Sequence, residues 1–436
     1  MLKKINNQII VENLPENIEF GGTYIIAQAN PNTYTHSFFK YPCRFIPEIP
    51  RWAIKKYLSG VENRIVFDPF SGSGTTLLES VINGFDAYGT EIDNIAKLII
   101  KVKTTTFPED KLERIIDEYN RIITNIDTSR KPSKLPGINN LEHWFTEDAI
   151  IKLAEIKNNI DSIDDEDIRD FFNVCFVSII KRVSNADDVS PKPYVSNKII
   201  KNPPDTIKEF SSTFYKYFEG IKELSNLGIT KKAYIINGDA LNFEFDGLFD
   251  LAITSPPYIN AFDYARTMRL ENLWLNTMSE NELREKKKAY VGTESISIAE
   301  EEKNLVILEK SPMLKLYYYR IVEKDKKRAL VVKKFFEDME VNLKNVYQYL
   351  KPNGYYMIVI GNNTIRKVEI ESWRVIQQIS ELVGFKTETY FNYLIQNPYI
   401  RIPRGNKGGK INIDHVLVLK KGGSDWTYMG GSMKEE

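Results

Sequence analysis

The sequence predicts an α/β fold with a doubly wound, mostly parallel sheet and helical insertions, and three observations support this. Apolar strand patterns alternate with helical patterns between residues 63 and 103. Further strand patterns appear at 233–239, 249–255, 355–361 and 415–421, after long polar helical stretches. Such alternation builds a parallel sheet that is covered on both faces, because each connecting helix packs back onto the sheet.

The first strand and helix set this pattern. The apolar run NRIVF (63–67) ends in Asp-Pro and a glycine- and serine-rich turn, and LLESVING follows with helical spacing and a terminal Gly84. FDAYGTEI then predicts a second strand and NIAKLIIKVK a second helix. Late in the chain, the helical pattern SWRVIQQISELV separates two further strands.

Two polar stretches with amphipathic helical spacing predict insertions into a single core. The first contains four clear helical patterns and a Pro-, Lys- and Ser-rich loop, SPKPYVSNKIIKNPP. We place the core at 1–106, 233–275 and 341–436, and the insertions at 107–232 and 276–340.

The composition excludes several classes of protein. The 436 residues are 42% hydrophobic and 27% charged, as in an ordinary soluble globular protein. No run approaches the roughly 18 consecutive apolar residues of a membrane span, and the start does not read as a signal peptide. Two distant cysteines and three scattered histidines argue against disulfides and a metal site, and favour a cytoplasmic location. Lys+Arg equals Asp+Glu, so any binding of nucleic acid must use local basic patches.

The turn after the first strand, Asp68-Pro-Phe-Ser-Gly72-Ser-Gly74-Thr-Thr, has the composition of a cofactor loop. Glycines let the backbone turn tightly and approach a ligand, and the following helix offers unpaired N–H groups. An acidic residue about twenty positions further on suits a ribose diol. Glu91 stands there, with Asp93 as the alternative. A P-loop is excluded because GxxxxGK[ST] is absent, and a dehydrogenase loop would lack its third glycine.

A third strand pattern ends in Asn237-Gly238-Asp239. The carboxylate of Asp239 can accept a hydrogen bond from an adenine amino group, although the same residues also suit a plain Asx turn. Together with the glycine turn and the acid after the second strand, it favours a nucleoside cofactor.

The strand pattern at 249–255 runs into Thr254-Ser-Pro-Pro-Tyr258. The two prolines fix the backbone and lack N–H donors, so the Ser255 hydroxyl and the Pro256 carbonyl can both accept from one substrate amine. Two acceptors favour a pyramidal nitrogen with an available lone pair, and Tyr258 offers a flat face for stacking on a planar ring. A plain proline turn is the simpler interpretation, but ligands bind at this edge of a parallel sheet.

These residues resemble the amino-directed DNA methyltransferases, the N4-cytosine and N6-adenine enzymes, of the Ser-Pro-Pro-Tyr type. The run from Phe67 to Thr76 matches the family's cofactor loop, and Ser255 to Tyr258 its catalytic motif. The segment from His36 to Pro42 resembles the part that closes over the methionine end of the cofactor. Later runs at 260–275, 350–356 and 361–363 are also similar, and the matches cover about half of the chain.

The resemblance implies a Rossmann-like class I methyltransferase that uses S-adenosyl-L-methionine and acts on double-stranded DNA with base flipping. It also implies a restriction-modification or similar system, with a cognate restriction endonuclease as a candidate partner. The implied cofactor-binding residues are Tyr41, Pro42, Asp68, Phe70, Gly72, Gly74, Thr75, Glu91 and Asp239. The implied catalytic residues are Ser255, Pro256, Pro257 and Tyr258.

Cytosine N4 is the favoured target, because serine at the start of the catalytic motif goes with cytosine more often in this family. The order of motifs, with the cofactor loop first, is more typical of some adenine enzymes, so adenine N6 is the alternative. Glu91 and Asn94 also stand where aspartate and proline are commoner in the family. RNA or a protein amide is a less favoured substrate, and the intact motifs disfavour an inactive DNA-binding subunit.

Neither cysteine predicts C5-cytosine chemistry, which attacks the base with a Pro-Cys thiolate. Pro42-Cys43 precedes the cofactor loop, whereas the catalytic dipeptide should follow it. Cys175 lies in FFNVCFVSII and is interpreted as helix core.

Basic residues at three places are candidates for DNA contacts, and the first insertion is expected to help recognise the DNA. Glycine-rich basic loops approach phosphates readily, which favours the run RIPRGNKGGK. The run LREKKKAY (283–290) is interpreted as a charged helix face. The candidate DNA contacts are Lys181 and Arg182 at a helix end, Lys192 in the SPKPY loop, and Arg401, Arg404, Lys407 and Lys410.

Overall fold

The computed structural model describes residues 3–5, 8–27, 32–42, 46–60, 63–129, 132, 134–198, 200–259, 263–395 and 413–423. Its strands are β1 (Lys3–Ile5), β2 (Gln8–Val11), β3 (Thr23–Ile26), β4 (Ile65–Asp68), β5 (Asp86–Gly89), β6 (Ala233–Ile235), β7 (Gly238–Asp239), β8 (Asn242–Phe243), β9 (Phe249–Thr254), β10 (Leu350–Gly361), β11 (Asn363–Ile365), β12 (Val368–Ile370), β13 (Phe385–Leu394) and β14 (Ile413–Lys421).

The α-helices lie mainly between the strands and in the two insertions. They are α1 (Glu48–Leu58), α2 (Thr75–Ile82), α3 (Asn94–Thr104), α4 (Glu109–Thr124), α5 (Leu141–Trp144), α6 (Glu147–Asp161), α7 (Glu166–Val183), α8 (Thr206–Ser225), α9 (Tyr264–Thr267), α10 (Arg269–Trp274), α11 (Glu280–Lys286), α12 (Ile298–Glu301), α13 (Ile307–Lys310), α14 (Pro312–Val322), α15 (Lys326–Tyr349) and α16 (Ser372–Val383). Short 3₁₀ turns occupy Tyr34–Ser37 and Lys287–Ala289.

A ten-stranded sheet forms the centre, in the order β1-β2-β3-β13-β14-β10-β9-β4-β5-β6. All neighbouring pairs from β10 to β6 are parallel, as are β2–β3 and β3–β13. The antiparallel pairs are β1–β2, β13–β14 and β14–β10. This topology confirms the predicted α/β class with a doubly wound, mostly parallel sheet and a Rossmann-like core.

The strand predicted at 233–239 is wrong in its second half. β6 ends at Ile235, and Gly238 and Asp239 instead pair with β8 in a separate hairpin. Gly238 has a φ of 103°, and a Cβ atom there would lie 2.1 Å from the carbonyl oxygen of Asn242. The backbone therefore leaves the sheet at this glycine, in a conformation that disfavours other residues.

The helices of the first insertion pack into a hydrophobic core that they share with α3 and α10. Phe171 and Phe172 on α7 and Phe214 on α8 are buried there, and the rings of Phe172 and Phe214 stack with centroids 5.7 Å apart. Cys175 is fully buried in the same core, as the sequence predicts. Phe38, from the segment before α1, stacks on Tyr217 of α8 at 4.2 Å. This contact fixes that segment against the insertion.

The second insertion is helical, but it has no clear end at the expected boundary. Residue 340 falls inside α15, which runs to Tyr349 and leads directly into β10. The last helix of the insertion is therefore also a helix of the core, packed against α14 and α16. Within the described ranges, every helix is too short or too polar to span a membrane.

The carboxyl ends of β4 and β9 meet at one edge of the sheet. These strands are parallel neighbours, with Phe67 opposite Ala252. The cofactor loop leaves the sheet after β4, and the Ser-Pro-Pro-Tyr motif leaves it after β9. Thr254 Oγ1 donates to Asp68 Oδ1 at 2.6 Å, so the two strand ends are joined directly.

Gly74 and Gly60 provide a matched pair for testing this turn. Both have a φ of 77°, but a Cβ atom at Gly74 would lie 2.9 Å from Ile100 Cγ1, whereas at Gly60 nothing in the described part of the chain lies within 4 Å. We expect Gly60→Ala to lower the free energy of unfolding by about 1 kcal/mol, the cost of the left-handed conformation. Gly74→Ala should lower the free energy of unfolding by about 2–4 kcal/mol, because overpacking against Ile100 adds to the backbone strain. Equal losses in urea denaturation would contradict the contact with Ile100.

Candidate active site

A cavity of about 790 Å³, partly open to solvent, lies at the carboxyl edge of β4, β5 and β9. It brings both predicted motifs into one space, which is where a doubly wound sheet binds ligands. Of the predicted site residues, the cavity is lined by Tyr41, Pro42, Phe70, Gly72, Thr75, Glu91, Asp239, Ser255 and Pro257.

The cofactor loop is held by its own surroundings. Ser71 Oγ donates to the carbonyl oxygen of Asp68 at 2.9 Å, and a Cβ atom at Gly89 would lie 2.1 Å from that hydroxyl. Lys103, fully buried on α3, donates from Nζ to the carbonyl oxygen of Ser73 at 2.8 Å. The loop is therefore positioned before any ligand binds, and Gly89 on β5 makes the close approach of Ser71 feasible.

Glu91 joins the acidic turn after β5 to the cofactor loop. Its Oε2 accepts from Gly72 N, and its Oε1 accepts from Ile92 N and Asp93 N, each at 2.8 Å. Burial raises the pKa of Glu91 to about 7, although these backbone hydrogen bonds lower it. The carboxyl group lines the cavity beside the glycine turn, in the position predicted for a group that binds a ribose diol.

Asp239 forms the Asx turn that the sequence allows and also lies at the cavity. Its Oδ1 accepts from the backbone N–H groups of Leu241 at 2.8 Å and Asn242 at 2.9 Å, which is an Asx turn. The residue also lines the cavity, next to Ala240 and Leu241. The turn therefore orients the carboxylate at the cavity wall.

Asp68 and Gly74, predicted to bind the cofactor, lie behind the cavity instead of lining it. Asp68 is buried and accepts from Thr254 Oγ1 and, at 3.0 Å, from Phe70 N. Burial raises the pKa of Asp68 to about 6, while these bonds lower it. Gly74 precedes α2 as its N-cap. Both residues shape the loop, so any effect on the cofactor is indirect.

The catalytic motif opens only partly into the cavity. Ser255 and Pro257 line it, whereas Pro256 is buried. The Tyr258 hydroxyl donates to Asp414 Oδ1 on β14 at 2.8 Å, and Tyr258 is not among the lining residues. The ring of Tyr258, which we expected to stack on the base, therefore lies behind the residues that line the cavity.

Two residues missed by sequence reasoning, Tyr264 and Tyr290, complete one wall of the cavity. Tyr264 stacks between Tyr41, at a centroid distance of 5.8 Å, and Tyr290, at 5.6 Å, and all three rings line the cavity. The Tyr290 hydroxyl donates to Asp93 Oδ2 at 3.1 Å. The run at 283–290 is thus more than a charged helix face, because its last residue faces the site. The only signal in the sequence was an aromatic residue at the end of a run of lysines.

The segment before α1 is anchored by a buried ionic cluster. His36 Nε2 lies 2.9 Å from Glu79 Oε1, and Arg51 donates to the same carboxylate at 2.7 and 2.9 Å. Burial raises the pKa of Glu79, but the bonds from His36 and Arg51 outweigh it and hold the pKa below its ordinary value. This cluster ties the segment that carries Tyr41 to α2 of the core.

The candidate DNA contacts have unequal surroundings. Lys181 is half-buried and donates to the carbonyl oxygen of Ser190, so it stabilises a loop instead of facing solvent. Arg182 is exposed and pairs with Glu209 at 2.6 Å, and Lys192 is exposed. The remaining basic candidates Arg401, Arg404, Lys407 and Lys410, together with Cys43, lie outside the described residues.

The lining of the cavity fits S-adenosylmethionine. Ser73 Oγ is buried at the cavity and has no hydrogen-bond partner among the described residues, so a polar ligand group can satisfy it. A carboxyl group for the ribose, apolar side chains at Ile92 and Leu241 for the adenine ring, and the glycine turn are all present. Such a mixture of apolar walls and a few polar groups is typical of cofactor sites.

The chain is similar in sequence to known DNA methyltransferases. The sequence model of the DNA methylase family matches residues 3–102. The chain is 27% identical over 449 residues to the Type II methyltransferase M.MvaI of Kocuria varians, which covers 95% of this chain and 97% of that protein. It is 28% identical over 302 residues to the Type II methyltransferase M.BsoBI of Geobacillus stearothermophilus, covering 62% of this chain and 58% of that protein.

Fold and site together define an S-adenosylmethionine-dependent methyltransferase. The family resemblance predicted from the sequence is confirmed: the chain is similar to DNA methyltransferases of the N6-adenine and N4-cytosine family. The residues that bind the cofactor and the base remain predictions, which the following experiments test.

Binding of S-adenosylhomocysteine, the demethylated cofactor, tests the cavity directly. We expect Asp239→Ala to weaken binding by about 1–3 kcal/mol, because a buried polar group of the ligand loses its partner. Glu91→Ala should weaken it at least as much, since Glu91 also holds Gly72. Asp246→Ala, at an exposed position after β8, is the control and should leave the affinity unchanged. Calorimetry that shows unchanged affinity in both site variants would refute the assignment.

The bond between Tyr258 and Asp414 predicts a pH-dependent stability. Burial raises the pKa of Asp414 to about 6, and the bond from Tyr258 lowers it from a still higher value. When the pKa of a carboxyl group is higher in the folded state, the protein loses stability as the pH rises from the pKa of the unfolded chain to the pKa of the folded protein. Tyr258→Phe raises the folded pKa further, so it should cost about 1–3 kcal/mol at pH 8 and less at pH 5.

Asp414→Asn supplies the control for this prediction. In that background the side chain cannot ionise, so adding Tyr258→Phe should cost the same at pH 5 and pH 8. Urea denaturation of the wild type, the two single variants and the double variant at both pH values gives the free energies of unfolding that are compared. A cost of Tyr258→Phe that does not depend on pH in the native background would show that Asp414 is not its partner.

Proposed function

We propose that this chain methylates the exocyclic amino group of a base in double-stranded DNA, with cytosine N4 favoured over adenine N6. The observation that carries this proposal is that Ser255 and Pro257 open into the same cavity as Gly72 and Glu91. An amine held by the catalytic motif would therefore lie beside the cofactor. S-adenosylmethionine carries a methyl group on a positively charged sulfur, and an amine nitrogen can attack the carbon of that methyl group.

The cofactor would be held by three groups of residues. Glu91 would accept from the ribose hydroxyls, and Asp239 from the adenine amino group, as their places on the cavity wall allow. Ser73 and Tyr41 would face the methionine end, near the loop that Lys103 fixes. The stack of tyrosines would close the side of the cavity and exclude water.

The catalytic motif would prepare the amine for attack. The Ser255 hydroxyl and the carbonyl of Pro256 would each accept one amine N–H, which localises the nitrogen lone pair and directs it out of the ring plane. As the new N–C bond forms, the S–CH₃ bond of the cofactor would break and S-adenosylhomocysteine would leave as a neutral thioether. One amine proton must also leave, and it would leave on the side of these acceptors. Tyr258, held by Asp414, would form the fixed back of the base pocket.

A base inside a duplex cannot reach this cavity, so the proposal includes base flipping. Rotating a base out of the stack costs a few kcal/mol, which contacts with the rest of the DNA must offset. The first insertion is proposed to provide such contacts through Arg182 and Lys192, both exposed. The basic run at 401–410 is a second candidate for phosphate contacts.

A restriction-modification role is supported by the relatives. Two of them are named Type II methyltransferases, and one of these is matched over 97% of its length. We infer that the chain modifies a specific DNA sequence and protects it from a cognate restriction endonuclease.

Cytosine is favoured over adenine on the chemistry of Ser255. A hydroxyl can donate as well as accept, whereas a carboxylate at this position only accepts. Cytosine carries the N3 acceptor beside its amine, so a neighbouring donor can contribute to its recognition. The serine therefore supports cytosine N4, while the order of the motifs supports adenine N6.

Mass spectrometry of digested nucleosides identifies the product. DNA methylated by the purified chain should contain N4-methylcytosine, and Ser255→Ala should lower the rate by about tenfold or more without weakening the binding of S-adenosylhomocysteine. Ser162→Ala, at an exposed position after α6, is the matched control and should leave both unchanged. N6-methyladenine alone would overturn the choice of base. The absence of either product from wild-type enzyme that binds the cofactor would overturn the proposed function.

A further inference from the structure

The loop between α7 and α8, residues 184–205, exposes three large apolar side chains. Val189 is 63% exposed, Tyr194 45% and Ile200 92%, while residue 199 lies outside the described ranges. Single apolar residues on a surface are common, but several in one loop mark a surface for a partner.

Hydrogen bonds hold this α7–α8 loop in one conformation. Asp187 Oδ1 accepts from the backbone N–H groups of Val189 at 2.9 Å and Ser190 at 2.7 Å. Near the other end of the loop, Lys201 donates from Nζ to the carbonyl oxygen of Ala186 at 3.0 Å. The apolar side chains are therefore presented by an ordered backbone, so binding a partner requires little further ordering.

The same network brings the backbones of the three apolar residues near one another. Asp187 N donates to the carbonyl oxygen of Tyr194 at 2.9 Å, which pairs the two arms of the loop. The Lys201 ammonium lies 2.7 Å from Asp188 Oδ1, and Val189 and Ile200 are the direct chain neighbours of this ion pair. We call these three exposed side chains of the loop the patch.

Hydrogen bonds connect the loop that carries the patch to the segment that lines the cavity. Phe39 N donates to the Tyr217 hydroxyl at 2.8 Å, and that hydroxyl donates to Ser178 of α7 at 3.0 Å. Phe39 is two residues before Tyr41 of the cavity wall, and Lys181, one helical turn after Ser178, donates to a carbonyl of the loop. These bonds and one turn of α7 thus link the wall of the site to the loop.

The surroundings of the patch fit duplex DNA. Lys192 and Lys198 are exposed in the same loop, on either side of Tyr194 in the sequence. Lysines neutralise phosphates, and apolar side chains inserted between base pairs are a recurrent way of opening a duplex. A loop that exposes both apolar and cationic side chains therefore matches the apolar interior and charged exterior of the double helix.

We propose that Val189, Tyr194 and Ile200 form a wedge that enters the duplex and occupies the space left by the target base. This proposal rests on the proposed function. The wedge would stack against the neighbouring bases and block the return of the flipped base, so it lowers the cost of holding that base in the cavity.

A pair of DNA substrates isolates this role. One is an unmethylated duplex that carries the sequence the enzyme modifies. The other is the same duplex with an abasic residue opposite the target base, so that flipping breaks no base pair. The full-length variant Val189→Ser/Tyr194→Ser/Ile200→Ser should methylate the paired duplex about tenfold or more slowly than wild type, because the flipped state is lost. On the abasic duplex it should stay within about threefold of wild type.

The control variant changes three residues of similar type and exposure elsewhere. Val306, Tyr319 and Leu382, which are 60%, 52% and 65% exposed, are replaced by serine. This variant should resemble wild type on both substrates, and all three proteins should unfold at similar temperatures and bind S-adenosylhomocysteine equally.

Three results would overturn the wedge. The loop variant could keep its rate on the paired duplex, or lose its rate equally on both substrates, which indicates plain DNA binding. It could also change only the oligomeric state in analytical ultracentrifugation, which indicates a protein interface. Failure of the wild-type enzyme to methylate any DNA is a separate outcome and refutes the proposed function itself.

Discussion

The hydrogen bond from Thr254 to Asp68 joins the two strand ends on which the rest of the site is built. The two residues are 186 positions apart in the chain, yet β4 and β9 are neighbours in the sheet. Their pairing places the cofactor loop against the catalytic motif, and the buried carboxylate links the two loops at their roots. The acidic turn after β5 and the tyrosines of the inserted segments are then added around this junction.

The strands β4, β5, β9, β10 and β14 could be predicted from the sequence, whereas β13 and the short strands β1 to β3 could not. The predicted strands are apolar runs between helices, as in β9, whose six residues are all buried. β13 reads FKTETYFNYL, with polar residues at half-buried and exposed positions, so its pattern does not stand out from a loop. Among the short strands, β3 pairs with both β2 and β13. These pairings are tertiary contacts that local sequence does not encode.

The candidate site was predictable where one loop supplies the residues, and it was not where packing brings them together. Glu91 and Ser255 follow strands directly, so their place at the sheet edge follows from the topology. Tyr290 ends a charged run, and only the packing of the preceding 3₁₀ turn, Lys287–Ala289, against α9 turns its ring toward Tyr264. The same limit applies to Tyr258, because its partner Asp414 lies 156 residues away.

β14 enters the sheet between β10 and β13, although it follows both of them in the chain. A nascent chain therefore cannot join its first three strands to the parallel half until residue 421 has left the ribosome. Until then, β10 and β13 each present an unpaired edge, which is a template for pairing with other chains. Efficient synthesis should thus depend on chaperones that cover these edges while the last strand is being translated.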